Sequence, residues 1–225
     1  MTTKDVQSIT CPKCSHEQKF TLYPSINVSL EPKLKEKILD GSFCMFSCKK
    51  CSFEGQIAYD TLYHDMKQKI FIYFNNTEKK MTVRSLEKLM KQTRKMAQIS
   101  SEPDNYLIRL VHSKNDLIEK ILLFDEGLND KVIELLKVPI LSENDMPLDT
   151  ELYFEGIVKE KGKKCYCLTA FGDEDSQEEF IVNPKEISEV IEHIESALSQ
   201  CDAGLDLHEN KALRIDRDFA RKMFE

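Results

Sequence analysis

The sequence predicts the α+β class, and three observations carry that reading. Two C-x-x-C pairs, Cys11-Pro12-Lys13-Cys14 and Cys48-Lys49-Lys50-Cys51, stand thirty-three residues apart among strand-forming residues. Short runs with strand alternation are interleaved with segments whose apolar residues recur at helical spacing. The charge also changes sign along the chain. Residues 1 to 100 hold 17 Lys+Arg against 10 Asp+Glu, and residues 101 to 225 hold 15 against 29, so halves of +7 and −14 make up the net −7. Such asymmetry marks two regions with different surfaces. A C-x-x-C turn aims two thiolates at one point, and two such turns complete the tetrahedron of a structural zinc site. The expected architecture is therefore an N-terminal zinc-ribbon-like β-module with an inserted helix over residues 5–76. A connecting basic helix over 77–100 and an acidic, mixed α+β domain over 101–225 complete it.

Taken in order, Ser8 to Asn27 reads as a β-hairpin around the first cysteine pair, with Phe20, Leu22 and Ile26 apolar. Ser29 is placed to open a short helix in which Pro32 suits the first turn and Leu34, Ile38 and Leu39 face inward, with Asp40-Gly41 as its stop. The second cysteine pair lies within Phe43 to Gly55. Strands follow over 57–62 and 69–75, joined by a turn at His64-Asp65. The run Ile70-Phe71-Ile72-Tyr73-Phe74 is apolar on both faces, as a central strand is. Thr82 to Gln98 has a helical apolar side of Val83, Leu86, Met90 and Ala97.

A strand over Tyr106 to Val111 precedes a helix capped near Ser113 and stopped by Gly127. Asn129 or Asp130 opens the next helix, which carries Val132, Ile133, Leu135 and Leu136. Pro139 and Pro147 read as a connector. Beyond them, 152–158 and 165–171 form a hairpin across Gly162, and Phe180 to Val182 adds a short strand. A helix is expected over 183–198, and a strand with a short amphipathic helix over 212–224.

The candidate metal ligands are Cys11, Cys14, Cys48 and Cys51, holding Zn2+ in a closed, structural site with no open position for chemistry. Pro12 stiffens the first turn, and the small Ser15 and Ser52 leave room for backbone N–H groups to reach sulfur. Glycine often stands there in ribbons. Cys44, between Phe43 and Met45, reads as a buried thiol beside the site. His16 and His64 read as neighbours or solvated residues, and Cys165 and Cys167 as small hydrophobes on one face of a strand. Cys201 and His193 read as structural.

No Gly-rich phosphate loop, H-E-x-x-H or nucleophile elbow occurs in the chain, so no catalytic or cofactor-binding residue is assigned and an enzyme is not the expected class. A thiol–disulfide oxidoreductase is an alternative, but redox pairs use a helix N-terminus to lower a thiol pKa, and Cys14 leads into a strand. Arg84, Lys88, Lys91 and Lys95 line one stripe of the basic helix, which makes nucleic acid a second possible partner beside protein. No apolar run approaches the roughly 18 residues of a membrane span, and Met1 to Thr10 lacks a signal-like apolar core. A cytoplasmic setting follows, in which paired cysteines serve metals more often than disulfides.

Several segments together resemble the CpXC-domain proteins of bacteria and archaea, whose first cysteine motif reads C-P-x-C. They are Cys11-Pro12-Lys13-Cys14, the run from Glu31 to Leu39, Cys48-Lys49-Lys50-Cys51 and Tyr63-His64-Asp65. The likeness extends through Glu119-Lys120-Ile121 and Gly127-Leu128-Asn129-Asp130 to Leu136. It implies metal binding by the cysteines in a prokaryotic cytosol, and brings no substrate or catalytic residue to transfer. The function expected from the residues is a zinc-stabilised, non-enzymatic protein-interaction module.

Overall fold

The computed structural model describes residues 2–96, 106–172, 176–183 and 214–224, together with 185, 188, 189 and 192. It is α+β, and it divides into two compact units, Met1–Leu117 and Ile118–Glu225.

In the first unit, strands β1 (Thr3–Thr10) and β2 (Glu17–Asn27) form an antiparallel hairpin whose turn holds the first cysteine pair. Helix α1 (Pro32–Leu39) follows, and then β3 (Met45–Ser47) and β4 (Glu54–Gln56), a separate two-stranded ribbon around the second pair. Strands β5 (Thr61–Asp65) and β6 (Ile70–Phe74), helix α2 (Val83–Met96) and strand β7 (Leu107–Val111) complete the unit. The main sheet runs β1-β2-β5-β6-β7. β2 pairs parallel with β5 across the insertion that contains α1 and the ribbon, and β6 pairs parallel with β7 across α2. Parallel neighbours need such crossovers. Ile72 on the interior strand β6 is fully buried, with Ile26, Tyr63 and Phe74 also buried in this sheet.

Two expectations shift here. Ser29 does not cap α1; its hydroxyl donates to Asp65 and accepts from the N–H groups of Met66 and Lys67. Helix α1 begins instead at Pro32, with the fixed φ of proline in the first turn. The turn expected at His64-Asp65 lies just beyond it, because both residues belong to β5. Asp65 still makes the turn, since its Oδ1 accepts from the N–H groups of Lys67 and Gln68. An aspartate that caps a turn from the last strand position looks the same in sequence as one inside it.

Helix α3 (Lys114–Asp125) carries the chain from the first unit into the second. Ser113 caps it as expected, its hydroxyl accepting from Asp116 N–H while the Asp116 carboxylate accepts from Ser113 N–H. Helix α4 (Asp130–Glu143) is capped by the Asn129 side chain. It runs straight through Pro139, which the sequence reading placed in a connector. Proline removes one backbone bond and crowds the preceding turn. Burial of Leu135, Leu136, Ile140 and Leu141 on both sides of it outweighs that loss. Strands β8 (Glu151–Glu160), β9 (Lys163–Phe171) and β10 (Gln177–Val182) form an antiparallel sheet in the order β10-β9-β8, with Gly162 at positive φ between β8 and β9. Its inner face joins α4 in a core of Leu152, Phe154, Leu168 and Ala170 with Leu136 and Ile140. Helix α5 (Arg217–Phe224) packs Ala220 against Leu135. The helix expected over 183–198, with His193, lies largely outside the described residues, as do Cys201 and the strand expected near 212. Among the described residues, no helix is long and apolar enough to cross a membrane.

Candidate metal centre

The two cysteine turns have the same local conformation. In the first, Ser15 N–H donates to Cys11 C=O at 2.9 Å and Cys11 N–H donates to His16 C=O at 2.9 Å. In the second, Ser52 N–H donates to Cys48 C=O at 3.0 Å and Cys48 N–H donates to Phe53 C=O at 2.8 Å. Ser15 and Ser52 close the turns at φ 56° and 53°, the left-handed region in which glycine carries no penalty. The serine noted in sequence therefore stands at a strained position in both turns.

These turns bring the four sulfurs together. Cys11 Sγ lies 3.7 Å from Cys51 Sγ, Cys14 Sγ lies 3.7 Å from Cys48 Sγ, and all four atoms fall within 4.8 Å of one another. Each short contact crosses from one turn to the other. With metal–sulfur arms of about 2.3 Å, a tetrahedron has edges of about 3.8 Å, so the spacing fits a four-thiolate ion. Cys11 and Cys48 are buried with Phe46, and Ile9, Phe20, Phe53 and Ile57 pack around them.

The electrostatics agree with a cation site. Burial works against the Cys48 thiolate, but N–H groups of Cys51 and Lys50 and the thiols of Cys11 and Cys14 outweigh it, drawing Cys48 down to about 6. Phe53 N–H favours the Cys51 thiolate, yet burial and the three neighbouring cysteines together push Cys51 up to about 12. A first negative charge forms readily, and further ones repel it. A divalent ion relieves that repulsion. Lys13, Lys49 and Lys50 are exposed on the same turns, where their positive charge favours thiolates over thiols.

One positioning residue was not singled out in the sequence. Gln18 on β2 donates through Nε2 to Ser47 C=O at 2.9 Å and accepts through Oε1 from Lys49 N–H at 2.9 Å. One amide thus clasps the backbone on both sides of Cys48 and joins the hairpin to the ribbon. No sequence pattern marks a glutamine for this role.

The other candidates stand apart from the cluster. Cys44 is buried, and that burial pushes its thiol up to about 11, more than Tyr59 and Lys114 draw it down. His16 contributes its backbone oxygen. His64 lies in a ring stack with Phe71 and Tyr106, 3.3 Å from the Tyr106 hydroxyl. Cys165 and Cys167 are buried on β9, and Cys167 donates to Glu179.

A model of the CpXC protein family matches residues 9–137, more than half of the chain and both cysteine turns. The chain belongs to the CpXC family. The matched region continues through α3 and into α4, and β8 to β10 lie beyond it. No curated protein and no solved structure matches the chain.

The CpXC region also contains charged residues whose burial the sequence did not signal. Glu119, Lys120, Asp130, Lys131, Glu134 and Lys137 on α3 and α4 are all buried. Lys137 Nζ lies 2.8 Å from both Glu119 and Glu134, and Glu119 also accepts from Phe154 N–H at 2.8 Å. Lys120 Nζ lies 3.3 Å from Asp130. Burial pushes the Glu119 carboxyl up against the pull of Lys137, while the two carboxylates overcome burial to raise Lys137.

Proposed function

We propose that Cys11, Cys14, Cys48 and Cys51 hold one structural Zn2+ in a ribbon-like module, and that this cytoplasmic CpXC protein is a non-enzymatic module for binding another protein. The observation that carries the reading is the cross-turn sulfur spacing of 3.7 Å in two turns of matching conformation. Four soft thiolates in tetrahedral array suit zinc, and a closed set of four leaves no position for substrate. The chemistry the ion supplies is cohesion, since binding a metal across two turns contributes directly to folding. Neither cysteine pair sits at a helix N-terminus, because each lies between two strands, which weighs against the thiol–disulfide oxidoreductase alternative.

Mass spectrometry for metal on the purified protein, with a parallel count of reactive thiols, tests the site. The expected result is one zinc per chain with four thiols protected. Cys48→Ala should lose the metal and destabilise the N-terminal unit. Full metal content and unchanged melting in that variant would sink the structural assignment.

A second reading, nucleic-acid binding, rests on α2, where Arg84, Lys88 and Lys91 are exposed. Its test is retention of the protein on DNA or RNA at low salt with a steep loss of affinity as salt rises. Absence of low-salt binding removes it and leaves protein as the partner.

A further inference from the structure

The four sulfurs of the metal centre approach one another in two pairs, Cys11 with Cys51 and Cys14 with Cys48, each at 3.7 Å. Both pairs run between the hairpin turn and the ribbon turn. Each also joins a buried residue to a partly exposed one, because Cys11 and Cys48 are buried whereas Cys14 and Cys51 keep some contact with solvent. The thiolate is the form of cysteine that binds metal, and it is also the form that a peroxide oxidises. A site that holds four cysteines as thiolates is therefore reactive as well as cohesive.

A dissolved peroxide meets Cys14 or Cys51 first. The thiolate attacks one peroxide oxygen: an S–O bond forms, the O–O bond breaks and hydroxide leaves, so sulfur is oxidised to sulfenic acid and the peroxide is reduced. The buried thiolate 3.7 Å away then attacks that sulfur; an S–S bond forms, the S–O bond breaks and a second hydroxide leaves. Two thiolates and one peroxide thus become one disulfide and two hydroxide ions. Neither sulfur of a disulfide is an anion, so each bond removes two ligands, and a site left with two thiolates holds zinc weakly. A link from Cys11 to Cys51 or from Cys14 to Cys48 ties residues 40 or 34 apart and joins hairpin to ribbon, as the ion does. A link within one turn would not join them.

We propose that the four-cysteine centre is an oxidative modification site, at which hydrogen peroxide forms two cross-turn disulfides, Cys11–Cys51 and Cys14–Cys48, and releases the ion; this rests on the structural-zinc reading of the same residues. In the oxidised form the two turns stay tied without metal. Cys44, buried and apart from the cluster, takes no part.

Titration of the full-length, zinc-loaded protein with hydrogen peroxide tests the proposal. A chromogenic chelator follows the released zinc, and mass spectrometry of unreduced tryptic peptides maps the links. Trypsin cuts after Lys13 and Lys49, which puts Cys11, Cys14, Cys48 and Cys51 on separate peptides. The expected result is complete zinc release at two peroxide molecules per chain, one for each disulfide, with the Cys11 peptide joined to that of Cys51 and the Cys14 peptide to that of Cys48. Cys44 shares the Cys48 peptide, so Cys44→Ala is mapped as well and should give the same two links. A dithiol reductant with added Zn2+ should restore full zinc content. Links of Cys11 to Cys14 or of Cys48 to Cys51 overturn the proposal, as do zinc retained in excess peroxide and zinc release with sulfinic acids and no disulfide. Zinc measured before peroxide is added tests the metal reading separately. Protein without zinc that still forms both cross-turn links would refute that reading and uphold the pairing.

Discussion

Single residues fix the quality of the metal centre. Ser15 and Ser52 hold positive φ at a cost that glycine avoids, although glycine also adds freedom to the unfolded chain. Ser15→Gly and Ser52→Gly should each be stabilising by about 0.5–1 kcal/mol in denaturant melts, whereas Ser52→Val should be destabilising by more than that, because a β-branched residue resists the left-handed region. Gln18 makes a different contribution, since its amide sets the spacing between the two turns. Gln18→Ala should lower zinc affinity about 10- to 100-fold in chelator competition, as loss of outer supports does at other metal sites. Unchanged affinity would show that the packing of Phe20 and Phe46 aligns the turns alone. Cys44 gives a pH signature. Its thiol titrates near 11 in the fold and at an ordinary 9.0 when unfolded. Between those values the unfolded chain loses a proton that the folded chain keeps, so stability falls as pH rises from 9 to 11. Cys44→Ala should flatten that part of the stability curve relative to the parent chain.

At the scale of elements, helices α3 and α4 carry a buried ion network in place of a purely apolar interface. Lys137 links α4 to Glu119 on α3 and, through Glu119, to the backbone of β8. Removing one member of such a network leaves charges buried without compensation, which costs more than the intact network contributes. Lys137→Met should therefore be destabilising by about 3–5 kcal/mol. Lys137→Met with Glu119→Gln and Glu134→Gln should recover much of that loss in the same thermal melts. A single variant that melts like the parent chain would show that water reaches these carboxylates. The element scale also explains why Pro139 misleads. Its helix is held by tertiary burial of neighbouring leucines, and local propensity is the weaker term.

The whole molecule consists of two compact units with different sources of cohesion. The first has a main sheet and a small ribbon tied together through the cysteine turns, and the second has a conventional core between α4 and the β8–β9–β10 sheet. Chelation should raise hydrogen exchange in β1 to β4 well before it affects β8 and β9. Uniform deprotection of both regions would mean that metal supports the whole chain. Much of this organisation was legible in the residues. The α+β class, the pairing of the cysteines and most elements follow from periodicity, caps and C-x-x-C spacing. Those signals are local, and local spacing determines which thiols one turn can aim together. The ends of β5, the continuation of α4 and the clasp of Gln18 are not local. Each depends on groups tens of residues away, such as Ser29 reaching Asp65 or Gln18 reaching Lys49.

The sequence by itself determined which four cysteines come together and the fold class, because sulfur pairs and apolar periods are written into consecutive residues. Only the tertiary structure decided that two turns converge at 3.7 Å and that six charged residues are buried on α3 and α4. The physical reason is burial. A lysine or glutamate reads as a solvated residue from its neighbours in the chain, and it becomes a buried ion only when distant elements exclude water from it.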